Sequence, residues 1–201
     1  MKNPLLIPFL AILLTVFVVS FISKQEKNTD ESFFREYLRG FKQAKFPLKV
    51  KANNESFNYK NKIDDRFDNF FSEEMNSRRM GRKSVHFVNE YLEKIAETNE
   101  IIVVLCGSIP DFYSKTSDNN YSGYVKKMII YDKKGEVLGD KTIAYESQYQ
   151  NSTKALTCTI NADNSFYIKN FVKRNGRKDE WILSKKEDFV ITSAGKIEQK
   201  P

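Results

Sequence analysis

The pattern of apolar and polar positions divides the chain into three zones. Leu5 to Ile22 is an apolar series interrupted only by Pro8, Thr15 and Ser20, and Lys24 to Asp30 (KQEKNTD) is a polar link. Beyond it the period first suits helices and then strands. Phe34, Leu38, Phe41 and Lys45, with Phe33, Tyr37 and Ala44 alongside, form an amphipathic helical stripe. Asp30, Glu31 and Ser32 supply a cap and an acidic first turn, and Phe46 before Pro47 is the predicted stop. Residues 47–62 read as a short extended piece and a loop. Ile63, Phe67, Phe70 and Phe71 predict a second helix over Asp64 to Met75, and Val85, Val88, Leu92 and Ile95 a third over residues 84–97, capped by Ser84. Tyr91 and Ile95 would also suit a strand there.

From Glu100 the period becomes two. Ile101 to Cys106 is a continuous apolar run. Lys126 to Tyr131 and Val137 to Tyr145 flank Asp132-Lys133-Lys134-Gly135, where Gly135 can take a positive φ in a short hairpin loop. Lys154 to Ile160 and Ser165 to Lys173 flank Asn161 to Asn164. Trp181 to Leu183 and Phe189 to Thr192 form a third pair, and Gly195 turns the chain into Lys196 to Glu198. Consecutive hairpins imply an antiparallel meander. The predicted fold is α+β and β-dominated: a meander sheet, open or curled toward a barrel, with one to three N-terminal amphipathic helices after an N-terminal hydrophobic segment. A closed barrel would offer an interior for an apolar ligand. Residues 31–201 form one domain, its helical part 31–97 and its β-meander 100–199, preceded by segment 1–23 and linker 24–30.

The apolar run sets the expected address. A membrane span needs about 20 apolar residues and a signal peptide roughly 7 to 15 behind a basic start, so Leu5 to Ile22 fits either a transmembrane anchor or a signal peptide. Val18 and Ser20 suit the positions before a cleavage, whereas a lipid-bearing cysteine is absent from the end of the run. Lys24, Lys27, Arg35 and Arg39 follow the run and Lys2 alone precedes it, which favours a cytoplasmic C-terminal side, but long domains translocate largely regardless of charge. The expectation is export to the cell envelope, with the domain single-pass anchored or released as a secreted or periplasmic protein.

Charge and composition narrow the chemistry. The formal charge is +7, from 33 Lys and Arg against 26 Asp and Glu. Such an excess suits an anionic membrane or an acidic glycan as well as nucleic acid. The densest clusters, Arg78, Arg79, Arg82, Lys83 and Lys173, Arg174, Arg177, Lys178, sit beside Gly81 and Gly176 and read as solvated turns, so nucleic acid is not expected as a partner. Cys106 and Cys158 lie in apolar strands; a disulfide between them stays open beside two separate buried thiols. With one histidine, His86, the chain lacks the ligands of a structural zinc site, and no cofactor is expected.

Candidate catalytic groups are few. Asp64-Asp65-Arg66-Phe67-Asp68 spells the acidic pattern that can hold magnesium on a diphosphate, but it reads more simply as a helix start. His86 with Cys106 could form a nucleophile and base, without the sequence context such pairs usually have. The eight glycines form no phosphate-binding loop. The segment from Asp111 to Tyr124, with Phe112, Tyr113, Tyr121 and Tyr124 among Ser and Asn, has binding character because tyrosine supplies amphipathic contact area at low entropy cost.

Phe34, Leu38, Phe41 and Phe46-Pro47 after an export segment, then Ile101 to Leu105, then Tyr131 to Val137, resemble uncharacterised envelope proteins and lipoproteins of Bacteroidota type. Ala155 to Asn161 and Asp188 to Ile197 resemble their closing strands. The resemblance implies an envelope location and a helix-plus-sheet fold, and no substrate. The functional expectation is a non-catalytic binding or structural module that engages an envelope protein or glycan; the alternative is a small hydrolase or transferase using Asp64, Asp65, His86 or Cys106.

Overall fold

A computed structural model describes residues 31–51, 58–71, 77–80, 83–110, 124–149, 152–174 and 180–201. Leu5 to Ile22 and the linker lie outside the described residues, as do Phe112, Tyr113 and Tyr121. Residues 31–38 form a helix, α1. Among the described residues eleven strands follow: β1 Lys42–Gln43, β2 Leu48–Val50, β3 Ser77–Met80, β4 Lys83–Glu97, β5 Ile101–Pro110, β6 Val125–Asp132, β7 Val137–Tyr149, β8 Ser152–Ile160, β9 Ser165–Arg174, β10 Ile182–Ile191 and β11 Ile197–Gln199. The fold is thus β-dominated, as the alternation predicts.

The ladder runs β1-β4-β5-β6-β7-β8-β9-β10-β11, with β2 on β8 and β3 on β4. Every pairing is antiparallel except β1 with β4. The long strand β7 explains how one ladder makes two layers. Its first part pairs with β6 and its last part, Tyr145 to Tyr149, with β8. Where β7 leaves β8, β2 takes its place beside Cys158 to Ile160. The ladder folds over, so β5 and β6 share an inner core with β8, β9 and β10: Val103, Leu105, Met128, Ile130, Ile160, Phe166 and Ile168 all belong to it. It does not close into a barrel, because β1 and β2 are joined by the turn at Phe46-Pro47 without pairing to each other. Among the described residues, buried side chains from both layers meet in this one apolar cluster.

Strands β5 and β6 are the spine. Val103, Leu105, Met128 and Ile130 face the inner core, while Ile102, Val104, Cys106, Ile129 and Tyr131 face a second cluster built with Phe34, Tyr37, Phe41, Phe67 and Phe70. Burial on both faces is why Ile101 to Cys106 reads as an unbroken apolar run rather than an alternation.

The helical part is much shorter than the apolar spacing predicts. The helix ends at residue 38, and its last turn tightens through bonds from Arg39, Gly40 and Phe41 N–H groups to the carbonyls of Glu36, Tyr37 and Leu38. A Cβ on Gly40 would lie 2.5 Å from the Tyr91 ring, so this close approach excludes a side chain where the chain turns into β1. The predicted second helix is a 3-10 helix, Asp65–Phe70, capped by the Asp64 side chain. The predicted third helix is strand β4. Bulges between Tyr91 and Glu93 and between Lys94 and Ala96 each insert a residue, which stretches the two-residue alternation so that Leu92, Ile95 and Ala96 all reach the inner core. That stretched spacing imitates a helical period. The third predicted strand pair is one strand, β10, bulged at Ser184 between Leu183 and Lys185. The turns at Asp132–Gly135, Asn161–Asn164 and Gly195 fall where predicted, with φ +91 at Gly135.

Candidate functional site

The segment with binding character leaves the sheet between β5 and β6, and its base is held by a buried polar group. Pairing sets Glu90, Gly107 and Lys126 side by side across β4, β5 and β6. The Glu90 side chain leans over Gly107, where a Cβ would lie 2.7 Å from its Oε1, and reaches Tyr124. Tyr124 donates its phenolic hydrogen to Glu90 Oε1, and the Asn58 backbone N–H donates to Oε2 at 3.0 Å. Glu90 is 2% exposed, and the Lys126 ammonium, itself buried, lies 5.5 Å from the centre of the Tyr124 ring. A carboxylate so enclosed depends on these donors, since a buried charge without partners is costly. The arrangement clamps the start of β6 to β4. Beside it, Asn89 accepts the Ile63 N–H through its carbonyl at 2.8 Å, while its buried side-chain Oδ1 has no hydrogen-bond partner among the described residues.

Of the residues singled out from the sequence, Tyr124 alone joins this group. The missed partner, Glu90, had one legible signal: a glycine inside a strand, which often marks close approach of another group.

Cys106 lies on the opposite face, sealed at 0% exposure in the outer core. Its Sγ lies 3.8 Å from the Tyr37 hydroxyl, which in turn is 3.0 Å from the Tyr131 hydroxyl, and Tyr131 donates to the Phe70 carbonyl at 2.8 Å. Burial pushes the Cys106 thiol up to about 12. Such a thiol is a poor nucleophile at neutral pH. Tyr91 is the register partner of Cys106, and exposed His86 lies five positions earlier on β4, roughly 17 Å away at ~3.4 Å per residue. Cys106 and His86 do not converge.

Cys158 sits in the inner core and Cys106 in the outer one, and both are free thiols. The disulfide left open by the sequence is therefore not formed: the β5–β6 layer separates the two sulfurs. Asp64 accepts the Arg66 N–H at 3.1 Å as a cap, Asp65 pairs with Lys62 at 2.9 Å, and Arg66 also reaches Glu36 at 2.7 Å. The acidic pattern is thus the start of a 3-10 helix, and among the described residues no group of three His, Cys, Asp or Glu side chains is placed to hold a metal.

Two outcomes follow from the buried hydroxyl chain. Tyr131→Phe removes one buried hydroxyl together with its bonds to the Phe70 carbonyl and the Tyr37 hydroxyl, which should cost about 1–3 kcal/mol in urea denaturation; a change under about 0.5 kcal/mol would mean that water reaches the chain. The second outcome concerns pH. Burial raises the Tyr37 and Tyr131 hydroxyls well above the ordinary phenol value, and raises Cys106 and Cys158 to about 12. Above the ordinary thiol and phenol values the folded chain holds more of these protons than the unfolded chain, so stability falls as pH rises. Their contribution should be intact below pH about 8.5, decline from there, and vanish as pH passes the folded values. Equilibrium unfolding between neutral and strongly alkaline pH reads this, and a level profile would contradict it.

No family model matches this chain, and neither the curated proteins nor the solved structures include a match to it.

Proposed function

We propose that this chain is a non-catalytic binding or structural module of the cell envelope, exported by Leu5 to Ile22 and then tethered or released. It engages a protein or glycan through the tyrosine-bearing segment between β5 and β6. The observation that carries this reading is the buried bond at the boundary of that segment: Tyr124, its last residue, is tied to Glu90 of β4, which fixes where the chain re-enters the sheet. The separation of Cys106 from His86, and the use of Asp64 and Asp65 in capping and ion pairing, support binding over the hydrolase or transferase alternative. The resemblance to Bacteroidota-type envelope proteins points to the same compartment. Among the described residues no helix is long and apolar enough to cross a membrane, so the address rests on the N-terminal run.

Fractionation of a bacterium expressing the full chain, with intact mass of the recovered protein, tests the reading. The expected result is full-length protein in the membrane fraction, or protein shortened by about twenty residues outside the cytoplasm. Full-length protein in the soluble cytoplasm would overturn it.

A further inference from the structure

In an antiparallel meander successive hairpins turn at alternate ends. The β3–β4, β5–β6, β7–β8 and β9–β10 connections share one end of the ladder, and the β4–β5, β6–β7, β8–β9 and β10–β11 connections share the other. This arrangement segregates charge. The first end carries Arg78, Arg79 and Lys83 on the paired ends of β3 and β4, and Lys173, Arg174 and Lys185 at the ends of β9 and β10, against Glu146, Glu180 and Glu187, the last paired with Lys185 at 3.0 Å. The second end carries Glu97, Glu100, Asp132, Glu136 and Asp163 in its turns, against Lys133, Lys134 and Lys196. Two basic clusters about 90 residues apart in sequence thus fall on one pole.

The same pole exposes apolar surface. Trp181, Ile182 and Leu183 are 39%, 61% and 50% exposed at the start of β10. Strand β11 covers β10 only at Phe189 to Ile191, so nothing among the described residues pairs with the outer edge of β10 around these side chains. Addition of a partner strand is disfavoured there, because the bulge at Ser184 breaks the register and Lys185 and Lys186 follow directly, two devices that blunt sheet edges. A nucleic acid or acidic glycan would use the cations and leave Ile182 and Leu183 without reward. An anionic lipid surface uses both: cations at the headgroups, and a tryptophan with two aliphatic side chains at the acyl boundary.

We infer that this pole docks on an anionic lipid bilayer, with Trp181, Ile182 and Leu183 entering the interface and the exposed Lys185 and Lys186 exchanging their surface pairs with Glu187 and Asp188 for the headgroups. The inference deepens the envelope reading and rests on it, since the domain must reside beside a membrane. Docking would lay the domain against the bilayer that the N-terminal run addresses.

Trp181 is the only tryptophan in the chain and reports its own surroundings. The full chain is mixed with vesicles of phosphatidylcholine alone, or with about one-third phosphatidylglycerol, each also prepared with brominated acyl chains. On anionic vesicles Trp181 emission should shift to the blue and be quenched by bromine; salt at about 0.5 M should reverse both, because screening shortens the reach of the headgroup charge. Lys185→Gln and Lys186→Gln should each weaken the response about fivefold, and Ile182→Ser with Leu183→Ser should abolish it; all four side chains are exposed, so these variants keep the fold. Co-sedimentation with both kinds of vesicle and an unchanged Trp181 spectrum would overturn the docking surface and leave the tethered envelope reading standing. Failure to co-sediment with any vesicle, together with cytoplasmic fractionation, would overturn both. An equal Trp181 response to dextran sulfate in the absence of lipid would overturn the choice of lipid.

Discussion

Phe34→Ala is expected to cost about 3–5 kcal/mol, the range for truncating a fully buried phenylalanine. Against a typical total of 5–15 kcal/mol this removes a large share of the stability. Phe34 is 1% exposed and is the point at which α1 grips the sheet. Its ring packs edge-on to Tyr131 at 5.2 Å between centres, tilted against Phe70 at 5.0 Å, and along Tyr37 at 6.0 Å. Truncation opens a void among rigid aromatic rings that cannot collapse into it. Urea denaturation monitored by tyrosine fluorescence and circular dichroism measures the loss. A change below about 1 kcal/mol would contradict the placement of Phe34 in the outer core.

Gly135→Ala should be nearly as damaging, for two reasons that can be separated. Gly135 has φ +91 in the β6–β7 turn, a conformation that costs an L-residue about 1–2 kcal/mol. An added Cβ would also lie 2.8 Å from the Phe34 ring and 3.0 Å from Phe70, an overpacking that typically costs about 1–3 kcal/mol. The expected loss is on the order of 3 kcal/mol. Most of the steric part should be relieved once Phe34 is gone, leaving the Phe70 contact, so Phe34→Ala combined with Gly135→Ala should cost about 1–2 kcal/mol less than the sum of the single changes. Strict additivity would show that the turn and the helix do not touch.

That contact also shows where the sequence is legible. The turn at Asp132 to Gly135 is readable because a glycine between two alternating runs has a local backbone reason to be there, and the Asp132 carboxylate accepts the Lys134 and Glu136 N–H groups at 2.8 and 2.9 Å. The spine at Ile101 to Cys106 is readable because only burial on both faces tolerates so long an apolar run. Strand β4 is not readable in this way: its two bulges give it a near-helical spacing, and what holds it extended is pairing with β5 and β3, which periodicity does not reveal. The stretch from Asp64 misleads for a related reason, since Phe67, Phe70 and Phe71 suit a 3-10 helix under an aromatic cluster as well as an α-helix. Only Tyr124 of the Glu90, Gly107 and Tyr124 clamp stood out, because neither a lone carboxylate nor a lone glycine announces a partner on another strand.

The fold seals both thiols away from solvent, Cys106 in the outer core and Cys158 in the inner one. Labelling of the native full chain with a small alkylating agent, without reductant and read by intact mass, tests this most directly. The expected result is no label at neutral pH under native conditions and two labels after denaturation, because Cys106 and Cys158 are free, buried and held as protonated thiols. Rapid labelling of Cys106 in the folded chain, or loss of both labels to a Cys106–Cys158 disulfide, would contradict it.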